Sequence, residues 1–132
     1  MAYYKTNLFQ RKTKSSGISD KSLAKAAKEV ESGLYDGDLG GGVIKKRVAV
    51  KNAGKRGGAR TIIFFKSGSN MFFVDGWEKK DVRKGTKEIE DDALETYKDL
   101  ADTFLNYSAE NIAGLIAKGI LFEVAEVSDD EC

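Results

Sequence analysis

After residue 42 the sequence pattern changes to the period of two typical of strands, in three short segments separated by turns that are rich in glycine, serine and asparagine. The segments cover residues 43–50, 59–66 and 71–77, and the turns cover residues 52–58 and 67–70. A period of two places successive side chains on opposite faces of a sheet, and short turns connect antiparallel neighbours. The pattern therefore predicts a three-stranded antiparallel meander, around which the rest of the chain must pack.

The segment before the meander has helical signals. Residues 7–14 predict a short first helix, and Ser19 or Asp20 caps a second helix whose apolar positions repeat every three or four residues. Gly33 is a typical helix stop, and residues 34–42 predict a glycine-rich loop. Two helices are therefore expected before the first strand of the meander.

The segment after the meander returns to helical periodicity. Residues 89–106 and 109–118 predict two helices, the second of them capped by Ser108, and residues 120–124 predict a last strand. The length is that of a single domain, so we expect one domain over residues 1–132 with an acidic tail from about residue 126. The expected fold class is α+β, an antiparallel sheet with helices packed on one face.

Composition limits the chemistry that this chain can perform. It contains no histidine, and Cys132 is its one cysteine, so Ser–His and Cys–His catalysis, a zinc site and an internal disulfide are all excluded. The longest apolar runs are too short to span a bilayer, and no signal peptide is visible. We expect a cytoplasmic protein without a metal, a cofactor or a membrane partner, in which any catalysis uses Lys, Arg, Tyr, Asp or Glu.

The net charge of +1 hides two oppositely charged regions. Residues 43–66 contain eight lysines and arginines and no acid, whereas residues 88–132 contain thirteen acids and two lysines. A sheet face that uses charge only to avoid aggregation is expected to mix both signs, since like charges repel one another. The purely basic segment is typical of a surface that binds a polyanion, most simply RNA.

Residues 54–60 (GKRGGAR) form a basic turn flanked by glycines. Glycines let backbone N–H groups approach a phosphate closely, and an arginine can bind two phosphate oxygens at once. The turn is not a nucleotide-hydrolysing P-loop, because its Gly-Lys is not followed by Ser or Thr. A flexible hairpin tip is the alternative interpretation. Phosphate binding at this turn singles out Lys55, Arg56 and Arg60.

The third strand of the predicted meander is aromatic and ends at two lysines. Phe73, Asp75 and Trp77 are expected to share a face, and exposed aromatic rings can stack on bases at about 1–3 kcal/mol each. The alternative is that these aromatic side chains belong to the core. Lys79 and Lys80 follow the strand, and nearby cations lower the pKa of a lysine so that it can act as an acid or a base.

Four stretches of the chain together resemble the RelE/HigB-type toxins of bacterial and phage toxin–antitoxin pairs. They are residues 17–20 (GISD), 33–49 (GLYDGDLGGGVIKKRVA), 54–61 (GKRGGART) and 72–79 (FFVDGWEK). The resemblance implies a small twisted antiparallel sheet with helices on one side. It also implies a ribosome-dependent mRNA endonuclease that is silenced by a cognate antitoxin. Such toxins need no metal, because the 2′-hydroxyl of the substrate attacks the adjacent phosphate.

The resemblance also assigns roles to residues. Arg60 looks like the arginine that stabilises the transition state, and Lys79 looks like the lysine at the strand end, with Lys80 beside it. The expected contacts to RNA phosphates and bases are Lys45, Lys46, Arg47, Lys55, Arg56, Phe73 and Trp77.

Two departures from the family pattern leave alternatives open. The chain is nearly neutral overall with an acidic tail, and Asp75 and Glu78 lie close to the expected site. These acids could orient Lys79 or Arg60, or they could weaken catalysis. The alternatives are a catalytically silent RNA-binding module of the same fold and a ParE-like toxin that poisons DNA gyrase.

Overall fold

The computed structural model describes residues 2–50, 54–78 and 89–125, except for the side chains at positions 15 and 54–57. These ranges contain six strands and four α-helices. In chain order the elements are β1 (Tyr3–Thr6), α1 (Asn7–Thr13), a 3₁₀ turn (Lys14–Ser16), α2 (Asp20–Glu31), β2 (Gly37–Gly40), β3 (Val43–Val50), β4 (Gly54–Phe64), β5 (Met71–Glu78), α3 (Asp91–Leu105), α4 (Ala109–Ala117) and β6 (Leu121–Glu123).

The strands form one sheet in the order β2-β3-β4-β5-β1-β6. The predicted meander is confirmed as β3, β4 and β5, although β4 begins at Gly54, inside the predicted turn. Two strands are additional: β2 lies in the predicted loop, and β1 pairs in parallel with β5. The sheet is therefore mixed rather than antiparallel, because β1 joins a strand that is distant in sequence.

Helices cover both faces of the sheet. α1 and α2 pack on one face, here called the α2 face, and α3 and α4 pack on the other, here called the α3 face. The α+β class is confirmed, but the prediction that helices lie on one face is wrong. Consecutive residues Val43 and Ile44 are both buried, one in each cluster, so the strand is apolar on both sides.

The helix ends follow the predicted capping chemistry. Ser19 is the N-cap of α2, and its hydroxyl accepts a hydrogen bond from the Ser22 backbone N–H. Ser108 caps α4 in the same way through the N–H of Asn111. Gly33 follows α2 in the left-handed conformation that glycine adopts without strain. Among helices in the described ranges, none combines the length and apolar character needed to cross a membrane.

A β-bulge in β5 changes which side chains share a face. Ile63 of β4 lies opposite Phe73, but Ile62 lies opposite Asp75, so Val74 is an extra residue in β5. The extra residue reverses the alternation after it. Phe73 therefore projects from the α2 face, whereas Asp75 and Trp77 project from the α3 face.

Candidate nucleic-acid interface

Three side chains from neighbouring strands lie in a row across the α3 face. Arg60 of β4 is directly opposite Arg47 of β3 and Trp77 of β5. Opposite residues project from the same face of a sheet, and Trp77 packs against the apolar cluster of the α3 face. We call these three residues the arginine row.

The arginine row combines charge, an aromatic ring and an N–H donor. Arg60 is only 8% exposed, Arg47 is exposed and Trp77 is half-buried. Like charges directly opposite each other reduce the stability of a sheet, whereas two adjacent guanidinium groups suit a phosphate. The buried Nε1 of Trp77 makes no hydrogen bond with any described residue. The row therefore combines two cations with a buried indole N–H that no described residue satisfies, which is unusual in a folded protein.

Asp36, just before β2, holds Arg47 in place. The Nε of Arg47 donates to Oδ1 of Asp36 over 2.8 Å, and the backbone N–H of Arg47 donates to Oδ2 over 2.6 Å. Burial acts to raise the pKa of Asp36, but the hydrogen bonds and charge of Arg47, together with the charge of Lys46, outweigh it and lower the pKa. Asp36 is therefore an anion at neutral pH that fixes the orientation of the Arg47 guanidinium.

Asp75 connects three elements next to the arginine row. Its Oδ1 accepts from Nζ of Lys12 over 2.7 Å and from the N–H of Gly76 over 2.8 Å. Its Oδ2 accepts from the hydroxyl of Tyr97 over 2.5 Å. Burial of the Tyr97 hydroxyl, followed by its hydrogen bond to Asp75 and the charge of that carboxylate, raises the pKa of Tyr97. Tyr97 therefore keeps its proton and acts as a donor rather than as a base.

Lys12 adds a cation beside the arginine row. Its Nζ lies 6.0 Å from the centroid of the Trp77 ring, within the range of a cation–π contact. The position follows from the topology, because the pairing of β1 with β5 stops at Phe73 and α1 then packs against the rest of β5. The ion pair with Asp75 fixes Lys12 at this point. Asp75 and Trp77 are two residues apart in β5, which is about 7 Å along the strand.

The structure brings together some of the predicted site residues. Arg47, Arg60 and Trp77 form the arginine row, and Lys45 lies on the same face, opposite Ile62 in the neighbouring row. The backbone of Lys55 and Arg56 belongs to β4, but their side chains lie outside the description. Lys79 and Lys80 also lie outside the described residues.

Two predicted RNA contacts are corrected. Lys46 is 5% exposed on the α2 face, where its Nζ lies 3.2 Å from Oε1 of Glu29 and donates to the carbonyl of Leu34 over 2.9 Å. Phe73 is fully buried, with its ring 5.7 Å from that of Phe9. Strand alternation places Lys46 on the α2 face, and the β-bulge places Phe73 on the α2 face rather than beside Trp77. Neither side chain can contact RNA in this conformation.

Sequence reasoning missed Lys12, Asp36 and Tyr97. Tyr97 carried a signal, since it lies on the apolar face of the predicted helix and a buried tyrosine hydroxyl usually needs a partner. Lys12 and Asp36 carried none, because each meets its partner only through the packing of separate elements.

The described side chains do not form a metal-binding group. No three His, Cys, Asp or Glu side chains in the described ranges are close enough together to hold a metal ion. The arginine row and Lys12 instead present guanidinium, ammonium and indole N–H groups. These groups suit a phosphate and a base rather than a metal ion.

Comparison with known proteins identifies one matching family model. The model is described as the RelE toxin of the RelE/RelB toxin–antitoxin system, and it matches residues 1–124. A search of curated protein sequences finds no match. The matched range includes every described residue except Ala125.

Proposed function

The chain belongs to the RelE toxin family, and from that premise we propose that it is a ribosome-dependent endonuclease that cuts mRNA without a metal. As a member of this family it is the toxin of a toxin–antitoxin system and has a cognate antitoxin as its partner. In this proposal its substrate is mRNA on the ribosome, and it acts in the cytoplasm.

The observation that carries the proposal is the arginine row. Arg47 and Arg60 lie directly opposite each other on neighbouring strands, and Trp77 adds an aromatic ring with a buried N–H donor. Arginine forks can bind the phosphate, and the ring can stack on a base. A surface for stability alone would gain nothing from placing two cations directly opposite each other.

The proposed reaction is an in-line transfer within the RNA chain. The 2′-oxygen attacks the adjacent phosphorus, and the bond from phosphorus to the 5′-oxygen breaks, which leaves a 2′,3′-cyclic phosphate and a 5′-hydroxyl. The proton of the 2′-hydroxyl passes to a base, and an acid protonates the leaving oxygen. We propose that Arg60 stabilises the charge on the phosphorane oxygens and that Lys79 and Lys80 serve in proton transfer.

Asp75 has a positioning role in this proposal. Both of its oxygens accept hydrogen bonds, and one of them also pairs with Lys12. The carboxylate therefore holds Lys12 beside Trp77, where the ammonium group attracts the RNA backbone.

The experiment is a translation reaction with purified ribosomes and a mapped mRNA. We expect fragments only when ribosomes are present, with a 2′,3′-cyclic phosphate on one end and a 5′-hydroxyl on the other. A message with a single 2′-deoxynucleotide at the mapped position should stay intact at that position. Lys66→Ala is the control for substitutions in the arginine row. It removes an exposed cation of the same basic segment outside the row, and this variant should still cleave the mRNA.

Two outcomes would contradict the proposal. Intact mRNA together with strongly salt-dependent RNA binding would indicate a catalytically silent RNA-binding module. Unaffected translation with DNA breaks in expressing cells would instead indicate a gyrase-poisoning toxin.

A further inference from the structure

A second basic surface lies on the opposite side of the molecule from the arginine row. It is a groove of about 280 Å³ along α2, here called the α2 groove. Lys21, Lys25 and Lys28 line it and are all exposed. Its apolar part contains Ala24 and Leu34, and Leu34 is 60% exposed. The α2 groove thus joins positive charge to an uncovered apolar side chain.

Each of the three acids of α2 contacts a group of β1 or β3, and one of them, Glu29, also lines the groove beside the three lysines. The pairs are Asp20 with Lys5 (2.9 Å), Glu29 with Lys46 (3.2 Å) and Glu31 with the hydroxyl of Tyr3. The helix therefore presents a positive outer side.

The described chain ends at the beginning of this groove. β6 is followed by Val124, whose N–H donates to the Tyr3 carbonyl over 2.9 Å. The N–H of Ala125 then donates to Oδ2 of Asp20, the first residue of α2, over 3.3 Å. Asp20 is adjacent to Lys21, the first lysine of the groove. The described part of the chain therefore ends beside the N-terminal end of α2.

The residues that follow match the groove in charge and in length. Residues 126–132 (EVSDDEC) contain four acids and no base. Seven residues can reach roughly 24 Å, whereas the lysines from Lys21 to Lys28 cover only about 10 Å of helix.

We propose that the acidic segment 126–132 docks in the α2 groove of its own chain. The docking covers lysines that would otherwise attract RNA non-specifically, and it leaves the arginine row as the polyanion-binding surface. The attraction is between exposed charges, so salt weakens it. This inference goes beyond the proposed nuclease activity and does not depend on it.

The test uses Cys132, the one cysteine of the chain, as a labelling site at the end of the acidic segment. A nitroxide on Cys132 broadens the NMR signals of nearby amides. At low salt we expect broadening along α2, with the signals of α4 unaffected. The broadening should disappear in the variant Lys21→Gln/Lys25→Gln/Lys28→Gln and at 0.5 M salt.

The matched control variant removes the same amount of charge elsewhere. Lys14→Gln/Lys66→Gln/Lys118→Gln replaces three exposed lysines outside the α2 groove and should keep the broadening. Signals of α2 that stay sharp in the full chain would overturn the inference. Broadening of an isotope-labelled chain by separate nitroxide-labelled copies would also overturn it, because the contact would then join two molecules.

A binding measurement tests the consequence for RNA. The full-length variant Glu126→Gln/Asp129→Asn/Asp130→Asn/Glu131→Gln should bind an unrelated single-stranded RNA several-fold more tightly at low salt. If three further phosphates are contacted, the slope of log affinity against log salt steepens by about 2. Adding the three Lys→Gln changes of α2 should remove the gain. A gain that persists without the α2 lysines would contradict the inference.

Discussion

Lys46 and Arg47 are consecutive residues of β3 with opposite surroundings. Lys46 lies on the α2 face, almost fully buried, with its charge balanced by Glu29. Arg47 lies on the α3 face, exposed and directly opposite a second arginine, Arg60. The alternation of the strand thus divides one basic run into a cation that stabilises the fold and cations that form a candidate binding surface.

The contrast between Lys46 and Arg47 shows that a run of charge in the sequence is not one functional unit. Glu29 reaches Lys46 because α2 crosses that face of the sheet, and removing either charge breaks an ion pair between a buried lysine and a half-buried glutamate. The arginine row and the adjacent Lys12 also have ion pairs, Arg47 with Asp36 and Lys12 with Asp75, but the cations Arg47 and Lys12 stay exposed to solvent. Substitutions on the two faces should therefore change different measured quantities.

The largest expected effect comes from the α3 face. Arg60→Ala should lower the rate of ribosome-dependent cleavage by roughly 10²–10³-fold, the usual effect of losing one transition-state donor. Arg60→Lys keeps the charge but loses the fork, so it should recover only part of the rate. Rates are measured on protein whose thermal unfolding shows that it is folded. Normal cleavage by folded Arg60→Ala would remove Arg60 from the proposed catalytic site.

The matching change on the α2 face should act on stability. Lys46→Ala breaks the ion pair with Glu29 and should lower the free energy of unfolding by about 2 to 3 kcal/mol, below the full value for a buried pair because Glu29 keeps some exposure. Urea unfolding measures the loss. Adding Glu29→Gln should recover part of it, and cleavage per folded molecule should stay unchanged. A stable Lys46→Ala variant with impaired RNA cleavage would break the contrast between the two faces.

The hydrogen bond between Tyr97 and Asp75 should make the α3 face sensitive to alkaline pH. The pKa of Tyr97 is raised in the folded chain, so its contribution to stability is complete below the unfolded value of about 10. Above that pH the unfolded chain loses the proton first, and the free energy of unfolding falls. Tyr97→Phe should flatten the decline in unfolding experiments from pH 9 to 11. An equally steep decline in that variant would assign the effect to other tyrosines, among which Tyr4 also has a raised pKa.

The sequence was informative wherever local pattern decides the structure. The meander, α2 and the caps at Ser19 and Ser108 follow from periodicity and capping chemistry, which act over a few residues. β1 was missed because four residues carry little pattern and its parallel partner is distant in sequence.

The candidate site shows the same division. The pairing of β3 with β4 was predicted from pattern, and the register found in the structure places Arg47 opposite Arg60. The bulge at Val74 depends on the pairing of two strands, and it moved Phe73 into the core. Lys12 meets Asp75 only after α1 has packed against β5, which no short-range pattern encodes.

The smallest expected effect concerns Asp36, whose carboxylate lowers the net charge of the arginine row. Asp36→Asn should cost less than about 1 kcal/mol at neutral pH, because the pair with Arg47 is largely exposed. The pKa of Asp36 is lowered in the folded chain, so its stabilisation is present above about pH 4 and is lost as the pH falls further. The stability difference between the two proteins should therefore vanish in acid.

The same substitution should strengthen RNA binding. Removing one negative charge beside Arg47 should raise affinity for RNA by roughly two- to fivefold at low salt, and the gain should shrink as salt rises. Asp38→Asn is the matched control, because Asp38 is an exposed acid that lies opposite Ile44, a residue of the α2-face core. If Asp36→Asn instead weakens binding while Asp38→Asn does not, the orientation that Asp36 gives to Arg47 matters more to RNA than the charge it adds. The arginine row would then depend on one ion pair for its geometry, as Lys46 does on the opposite face.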